Sequence, residues 1–349
     1  MIKRFRFTRA FIFTFRILLR YVLVFLLNKL LPYSWGEVVL KWTHRRVAKK
    51  IRKYIFRLRG LYIKLGQLLG VMSNLFVREF IKQLEDLQDR VPAVPYEVIK
   101  RRFINQWGKE PIDIFHKFDK KAIAAASLGQ VHVAYLEDGT KLAVKALYPN
   151  IEKYVKHDLN SMRAIAKLIN FFFPYFDTEV IYTEFSDLIK KEINYDNEVE
   201  NISKFKKNFQ GMHNYVFPNI IKKHSCNTIL TTEFIEGIKI NDVEALEKAG
   251  LSPTKVSNRL TKAFCKMIFE DQFFHADPHP GNFFVLPGHR IAFVDFGAVE
   301  YISSRNRLII KNLAKAIVKR DIPRIMDSLE QMGMLSKKAD KALYISFSI

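Results

Sequence analysis

Asp277, His279, Asn282 and Asp295 are the side chains whose types and spacing suit cation and proton chemistry. They lie in two stretches, Phe273-Phe274-His275-Ala276-Asp277-Pro278-His279-Pro280-Gly281-Asn282 and Val294-Asp295-Phe296-Gly297. Two prolines flanking His279, then a glycine, predict a rigid loop and exclude helix and sheet. Residues 283–286 form an apolar run, Pro287-Gly288-His289 is turn chemistry, and 290–294 form a second mostly apolar run, so the segment reads as a hairpin. Its midpoint, between Gly288 and His289, is equidistant from Asn282 and Asp295, and antiparallel pairing would bring those two side chains to one end. An amide oxygen and a carboxylate are hard donors suited to Mg²⁺, which binds through one or two carboxylates plus phosphate oxygens and water. Asp277 would sit beside the metal as base or positioning group. The same loop can also be plain structure, since His-Pro pairs shape turns.

An Asp, an Asn and an Asp-Phe-Gly after an apolar strand repeat the logic of the protein-kinase catalytic loop and metal-binding triplet, although no His-Arg-Asp is present. That chemistry needs strands upstream, and from Ile112 the pattern turns to short strands. Ala124, Ala125, Ala126, Ser127, Leu128, Gly129 and Gln130 occupy the place of a glycine-rich loop over phosphates. Alanines restrict the backbone more than glycines, so the loop should be stiff. A core strand of small residues is the other reading. Asp138-Gly139 predicts a hairpin turn, and 142–146 a strand with a single inward charge, Lys145, costly unless something anionic meets it. It matches the kinase lysine that binds the α and β phosphates. Residues 151–210 read as two helices broken at Pro174, 157–173 and 179 to about 209. Glu192 and Glu198 are six apart, roughly 240° around an unbroken helix, and cannot both face Lys145. A solvated charged helix is the alternative there.

With 349 residues, 49% apolar and 26% charged, the chain is globular and large enough for one bilobal unit or two domains. Cys226 and Cys265 imply neither a disulfide framework nor a zinc site, and point to a reducing compartment. Of the net charge of +22, residues 1–60 contribute +15, with sixteen Lys or Arg against Glu37. Arg4, Arg6, Arg9, Arg16 and Arg20 alternate with Phe5, Phe11, Phe15 and an uncharged run at 21–28, apolar through Leu27. That run is far short of the ~20 residues that span a bilayer, which argues against a transmembrane helix. Three readings compete: an amphipathic helix on an anionic membrane surface, a targeting segment, and a nucleic-acid arm. The last is weakest, because the charge lies outside the catalytic part and no binding motif accompanies it. Residues 61–69 have helical spacing that puts Lys64 and Gln67 on one face, and Gly66 would allow close approach. A packed helix with a snorkelling lysine explains them equally well.

The wording His275-x-Asp277-Pro278-His279-Pro280-Gly281-Asn282, with Lys64-x-Gly66-Gln67 and Leu84-Glu85-Asp86-Leu87-Gln88-Asp89-Arg90-Val91-Pro92, resembles the UbiB family of atypical kinases, also called the AarF family. The resemblance implies an α+β, bilobal protein-kinase-like fold with an α-helical N-terminal extension. Its parts would be a basic membrane-associating segment (1–55), a helical extension over the active site that restricts access (56–111), an N-lobe with inserted helices (112–234), and a shortened C-lobe (235–349). It pairs Lys145 with Glu198 and assigns Glu192 to a motif reading Glu-x-Asp, from which Asn194 departs by one charge. Lys64, Gln67 and Asp277 join the catalytic set, Asn282 and Asp295 hold the metal, Thr232 is the gatekeeper, and the backbone of Glu233 and Ile235 meets adenine. The cofactors implied are ATP and Mg²⁺. The function implied is an ATPase or kinase supporting ubiquinone (isoprenoid quinone) biosynthesis, peripheral to an inner cytoplasmic or mitochondrial-type membrane. A lipid-like or quinone-precursor ligand and quinone-synthesis enzymes are the expected partners. The alternative is a catalytically weak, nucleotide-gated scaffold for those enzymes, for which the alanine loop and Asn194 leave room. The apolar finish at 343–349 favours a fragment over a shortened member.

Overall fold

A basic stretch that is apolar on more than one side folds into two long helices, α1 (Ile2–Asn28) and α2 (Tyr33–Leu58), followed by α3 (Leu61–Val71). The computed structural model describes residues 2–30, 32–58, 60–71, 79–80, 93–172 and 178–334. The 84–92 motif, Pro174 and the 343–349 finish lie outside them, as do the side chains of residues 1–7. Ala10, Leu18 and Val24 of α1 are buried, while Leu19, Leu23, Leu26 and Leu27 are exposed. A helix apolar all round is either buried or in a membrane. An uninterrupted-run criterion excludes a span here, yet Thr8–Asn28, 21 residues, is long and apolar enough to cross a membrane, and 17% of its most apolar window is buried. Arg16 and Arg20 break the run, but an arginine can lay its apolar stem along a helix surface while its head stays in water, so a broken run does not by itself end an apolar surface. Phe13 stacks on Tyr54 at 4.0 Å and the Tyr21 hydroxyl meets His44 Nδ1 at 2.8 Å, which joins α1 to α2.

The chain divides into two compact units, residues 1–197 with 219–234, and residues 198–218 with 235–349. In the first, α4 (Tyr96–Trp107) is followed by β1 (Lys117–Phe118), β2 (Ala124–Ala125), β3 (Gly129–Tyr135), β4 (Lys141–Leu147) and, later, β6 (Ile229–Glu233). All pairings are antiparallel, in the order β1-β3-β4-β6 with β2 on β3. Gly108 ends α4 in the left-handed conformation, φ 68°, its amide donating to the Ile104 carbonyl at 2.9 Å. Ile99 and Phe103 of α4 pack on Phe115, Phe118, Leu142, Val144, Ala146 and Ile229. Leu142, Val144 and Ala146 therefore take the core face of β4, and strand alternation puts Lys145 on the other, half-buried. It is not the core-facing charge that the strand pattern suggests. The Asp138-Gly139 turn forms as expected, with Gly139 at φ 84°.

The helical stretch departs from expectation. It forms α5 (Ile151–Phe172), α6 (Thr178–Glu192) and α7 (Tyr195–Asn208), with a break at Ile193 and Asn194. Asn194 Oδ1 accepts the Asp196 amide at 3.0 Å, the geometry of an N-cap, so a new helix starts there. Glu192 and Glu198 belong to two helices, and an angle measured around one continuous helix does not apply to them.

The second unit holds the rest of α7, β5 (Tyr215–Val216), β7 (Ile238–Lys239), α8 (Val243–Lys248), α9 (Pro253–Lys266), β8 (Phe273–His275), β9 (Phe283–Leu286), β10 (Arg290–Phe293), β11 (Val299–Tyr301), α10 (Ser304–Lys319) and α11 (Ile322–Gln331). One sheet runs β5-β10-β9-β7, with β5 parallel to β10, and β8 pairs β11. β5 stops at Val216, and Pro218, which has no amide hydrogen, lies two residues on. Phenylalanines fill the core: Phe205 meets Phe273 at 4.7 Å and Phe217 stacks on Phe293 at 5.3 Å. Ser252 caps α9, Pro253 opens it, and a π-helical turn, Met267–Asp271, leads through Gln272 at φ 53° into β8.

Candidate functional site

In the first unit the alanines are exposed or half-exposed, so the core-strand reading fails for them. The Ala126 amide donates to the Gly129 carbonyl at 2.8 Å and closes the turn between β2 and β3. Ser127 is buried beside it. Gly129 and Gln130 serve packing. A Cβ on Gly129 would lie 2.6 Å from the Ala146 carbonyl oxygen, which only glycine avoids. The Gln130 amide is buried, accepting from Val94 N at 2.9 Å, donating to Val94 O at 3.3 Å and meeting His132 at 2.8 Å. Its side chain therefore faces the protein and not a nucleotide, which corrects its place among the phosphate-loop residues. Lys145 Nζ stands 5.3 Å from the Tyr195 ring, on the strand face away from the core. Lys64 Nζ pairs with Glu192 Oε1 at 3.1 Å, with Gln67 one turn along α3. Glu192 Oε2 is buried without a partner among the described residues, an orphaned oxygen of the kind a cation or ligand hydroxyl satisfies. Thr232 lies on β6 opposite Ala143, and the Glu233 amide is committed to the Asn219 carbonyl at 2.9 Å, which narrows that residue's part in any adenine contact to its carbonyl.

In the second unit β9 and β10 form the expected hairpin, but one residue out of the expected register. Leu286 faces Arg290 and Phe283 faces Phe293, so the centre is Gly288, and Asn282 lies opposite Val294, whose amide donates to its carbonyl at 3.1 Å. The positive φ of Gly288 and His289, 76° and 60°, fits three residues into the turn. What gathers the polar groups is the loop. Residues 273–275 are a strand, since the proline veto begins only at Pro278, and a 3₁₀ turn, Pro280–Asn282, folds Asn282 back. Asn282 Nδ2 donates to Asp277 Oδ2 at 3.0 Å and to Asp277 O at 3.1 Å. His279 Nδ1 accepts the Gly281 amide at 3.1 Å and steadies that turn.

His275, quoted above only as part of the motif, is the residue that pattern reasoning missed. It is fully buried; its Nδ1 accepts the Asp277 amide at 3.2 Å, and its Nε2 donates to the Asp295 carbonyl at 2.6 Å. One neutral imidazole thus ties the two segments together, and burial holds its pKa below the ordinary value. Asp295 Oδ1 accepts from Gly297 at 2.9 Å. Buried Glu198 accepts the Phe296 amide at 3.2 Å and Asn201 donates to the Phe296 carbonyl at 2.9 Å, so α7 grips Asp-Phe-Gly by its backbone.

The donor set fits Mg²⁺. With both Asn282 amide bonds on Nδ2, its Oδ1 and the Asp295 carboxylate are hard oxygen ligands. Among the described residues no group of three or more His, Cys, Asp or Glu could hold a metal, so phosphate and water would complete the shell.

A family model described as the ABC1 atypical kinase-like domain matches residues 86–329. The chain is 34% identical over 310 residues to the chloroplastic ACTIVITY OF BC1 COMPLEX KINASE 7 of Arabidopsis thaliana, covering 88% of this chain and 44% of that protein. It is 33% identical over 284 residues to the probable serine/threonine-protein kinase abkD of Dictyostelium discoideum, covering 80% of this chain and 41% of that one. The chain thus spans less than half the length of these relatives. A solved structure of Rv3197 with erythromycin, from Mycobacterium tuberculosis, superposes with a TM-score of 0.57 at 24% identity, covering 87% of this chain and 77% of that one. At that identity the likeness shows the fold, kinase-like and mixed α+β with a helical N-terminal region.

Proposed function

The chain belongs to the ABC1 family of atypical kinase-like proteins, and from that premise we propose that it binds Mg·ATP and hydrolyses it or passes its terminal phosphoryl group to a small or lipid-like acceptor. The observation that carries this reading is the buried His275 joining Asp277 to Asp295, with Asn282 locked onto Asp277. Mg²⁺ at Asn282 and Asp295 would offset the charge that develops on the phosphoryl oxygens. Asp277, held by the Asn282 amide, would take the proton from the acceptor hydroxyl or from water. Lys145 would neutralise the remaining phosphates, and the exposed alanines 124–126 would cover them. Support of isoprenoid quinone synthesis follows from the UbiB resemblance. A membrane setting is supported by the +15 charge of residues 1–60 and by α1, and relatives named chloroplastic agree with an organellar membrane. The stiff alanine turn favours one second reading, a scaffold that binds nucleotide and turns it over little.

Calorimetry and ATPase assays on the full chain separate the two. Lys145→Ala and Asp295→Asn are each expected to lower Mg·ATP affinity or turnover at least tenfold, since each removes charge stabilisation of phosphoryl transfer. Tight wild-type binding with negligible turnover selects the scaffold. Unchanged binding in both variants rejects the site, and unchanged quinone profiles in cells lacking the chain reject the quinone role.

A further inference from the structure

We propose that Tyr195 is a positioning residue, whose ring holds the Lys145 ammonium beside the alanine turn before a nucleotide arrives. All the groups involved lie in the first unit. Lys145 Nζ stands 5.3 Å from the centre of the Tyr195 ring, inside the range of about 6 Å over which an aromatic face attracts a cation. The strand neighbours directly across from Lys145, Val131 and Leu230, are apolar and offer the charge nothing. Tyr195 itself is only 3% exposed, and a cation–π contact gains strength where water is excluded.

The backbone fixes where that ring stands. Tyr195 is the first residue of α7; its amide donates to the Asn227 carbonyl at 2.9 Å, and Asn194 caps the same turn through the Asp196 amide at 3.0 Å. Its hydroxyl reaches Gly129, where an added Cβ would lie 3.1 Å from Oη. One side chain thus touches both the lysine and the end of the turn that alanines 124–126 lead into, the two parts between which the phosphates would lie. A ring carries no net charge, so it restrains the flexible four-carbon stem and leaves the charge of the ammonium for the ligand. A lysine ordered in advance spares the ligand the cost of ordering it, which appears as affinity. The proposal rests on the reading of Lys145 as the phosphate lysine and adds the group that aims it.

The test is calorimetry on the full chain with two probes: Mg²⁺ plus a non-hydrolysable ATP analogue, and adenosine, which lacks the phosphates. Tyr195→Leu, which removes the ring, should weaken binding of the analogue at least fivefold and leave adenosine within about twofold, a split that a merely loosened fold would not give. Tyr195→Phe keeps the ring and should bind both probes within about twofold of the wild type. Pentafluorophenylalanine at the same position keeps the shape of that ring but inverts its quadrupole, so it should weaken the analogue at least threefold relative to Tyr195→Phe, even where the leucine variant fails to fold. In a Lys145→Ala background none of the three changes should cost the analogue anything further. Equal binding of the analogue by the phenylalanine and pentafluorophenylalanine variants would overturn the proposal, as would equal losses for adenosine and the analogue. A Lys145→Ala chain that binds the analogue as the wild type does would reject the phosphate-lysine reading itself. A weakened Lys145→Ala chain beside unaffected ring variants would reject the role of Tyr195 alone.

Discussion

His132 is fully buried, stacked on Phe118 at 5.0 Å, with Nδ1 donating to the Asp119 carbonyl at 2.8 Å and Nε2 facing the Gln130 amide at 2.8 Å. Burial lowers its pKa from 6.5, outweighing the Asp119 bond, so the folded protein keeps the ring neutral. A depressed folded pKa means that its contribution is complete above the unfolded value, 6.5, and is lost as pH falls toward the folded one, because the unfolded chain takes up a proton that the native chain refuses. The urea midpoint is therefore expected to fall between about pH 7 and 5.5, in the range where histidine titrates. His275, His44 and His224 shift in the same direction and share the slope, so His132→Gln, which keeps one donor and one acceptor, should make it shallower without abolishing it, and an unchanged slope would refute the assignment. The same contact explains why Gln130 was misread. Its position in a small-residue stretch before a strand suggests phosphate contact, but strand alternation sends its side chain inward, and only the fold shows Val94 waiting there. Asp277 and Asn282, by contrast, were legible, because five residues of loop with two prolines leave little room for them to part. Asp295 was legible in type but one residue off in register, since turn length and not the symmetry of the apolar runs sets the centre of a hairpin.

At the scale of elements, the break between α6 and α7 decides where two glutamates stand. Asn194 is the cap, and an N-cap Asn or Asp is worth about 1 kcal/mol over Ala. Asn194→Ala should lower unfolding stability by about that amount, whereas Asn194→Asp should be neutral or slightly stabilising through the helix dipole. Chemical denaturation checks both, and a destabilised Asp variant would show that the amide has a further role. Capping needs only a side-chain oxygen, which an aspartate at position 194 would supply as well as this asparagine does. Apolar periodicity runs on through Ile193, so the period alone hides the break, and the readable signal was the cap residue itself. The sheet strands were easier, with alternation along 141–147 and a Gly139 turn fixing both partners. The grip of Glu198 and Asn201 on Phe296 was not readable, because it joins residues 98 and 95 positions apart and no local pattern marks it.

At the scale of the whole molecule, the charge of residues 1–60 and the apolar surface of α1 act on a membrane by different physics and can be separated. Each Lys or Arg near an anionic surface is worth about 1 kcal/mol, so a third of the sixteen would suffice for firm attachment. That attraction is screened, with a Debye length of about 8 Å at physiological salt and about 3 Å at 1 M. Insertion of Leu19, Leu23, Leu26 and Leu27, about half exposed in α1, is not screened. Counting only unbroken apolar residues hid this, because arginines interrupt a sequence without interrupting a helix face. The full chain is therefore expected to float with anionic liposomes at low salt and to remain bound in part at about 1 M. The triple variant Leu23→Lys, Leu26→Lys, Leu27→Lys adds positive charge, so it should bind anionic liposomes at low salt at least as well as the wild type and be released at high salt. Retention of the variant at high salt would refute insertion through α1, and release of the wild type under the same conditions would leave charge as the sole anchor.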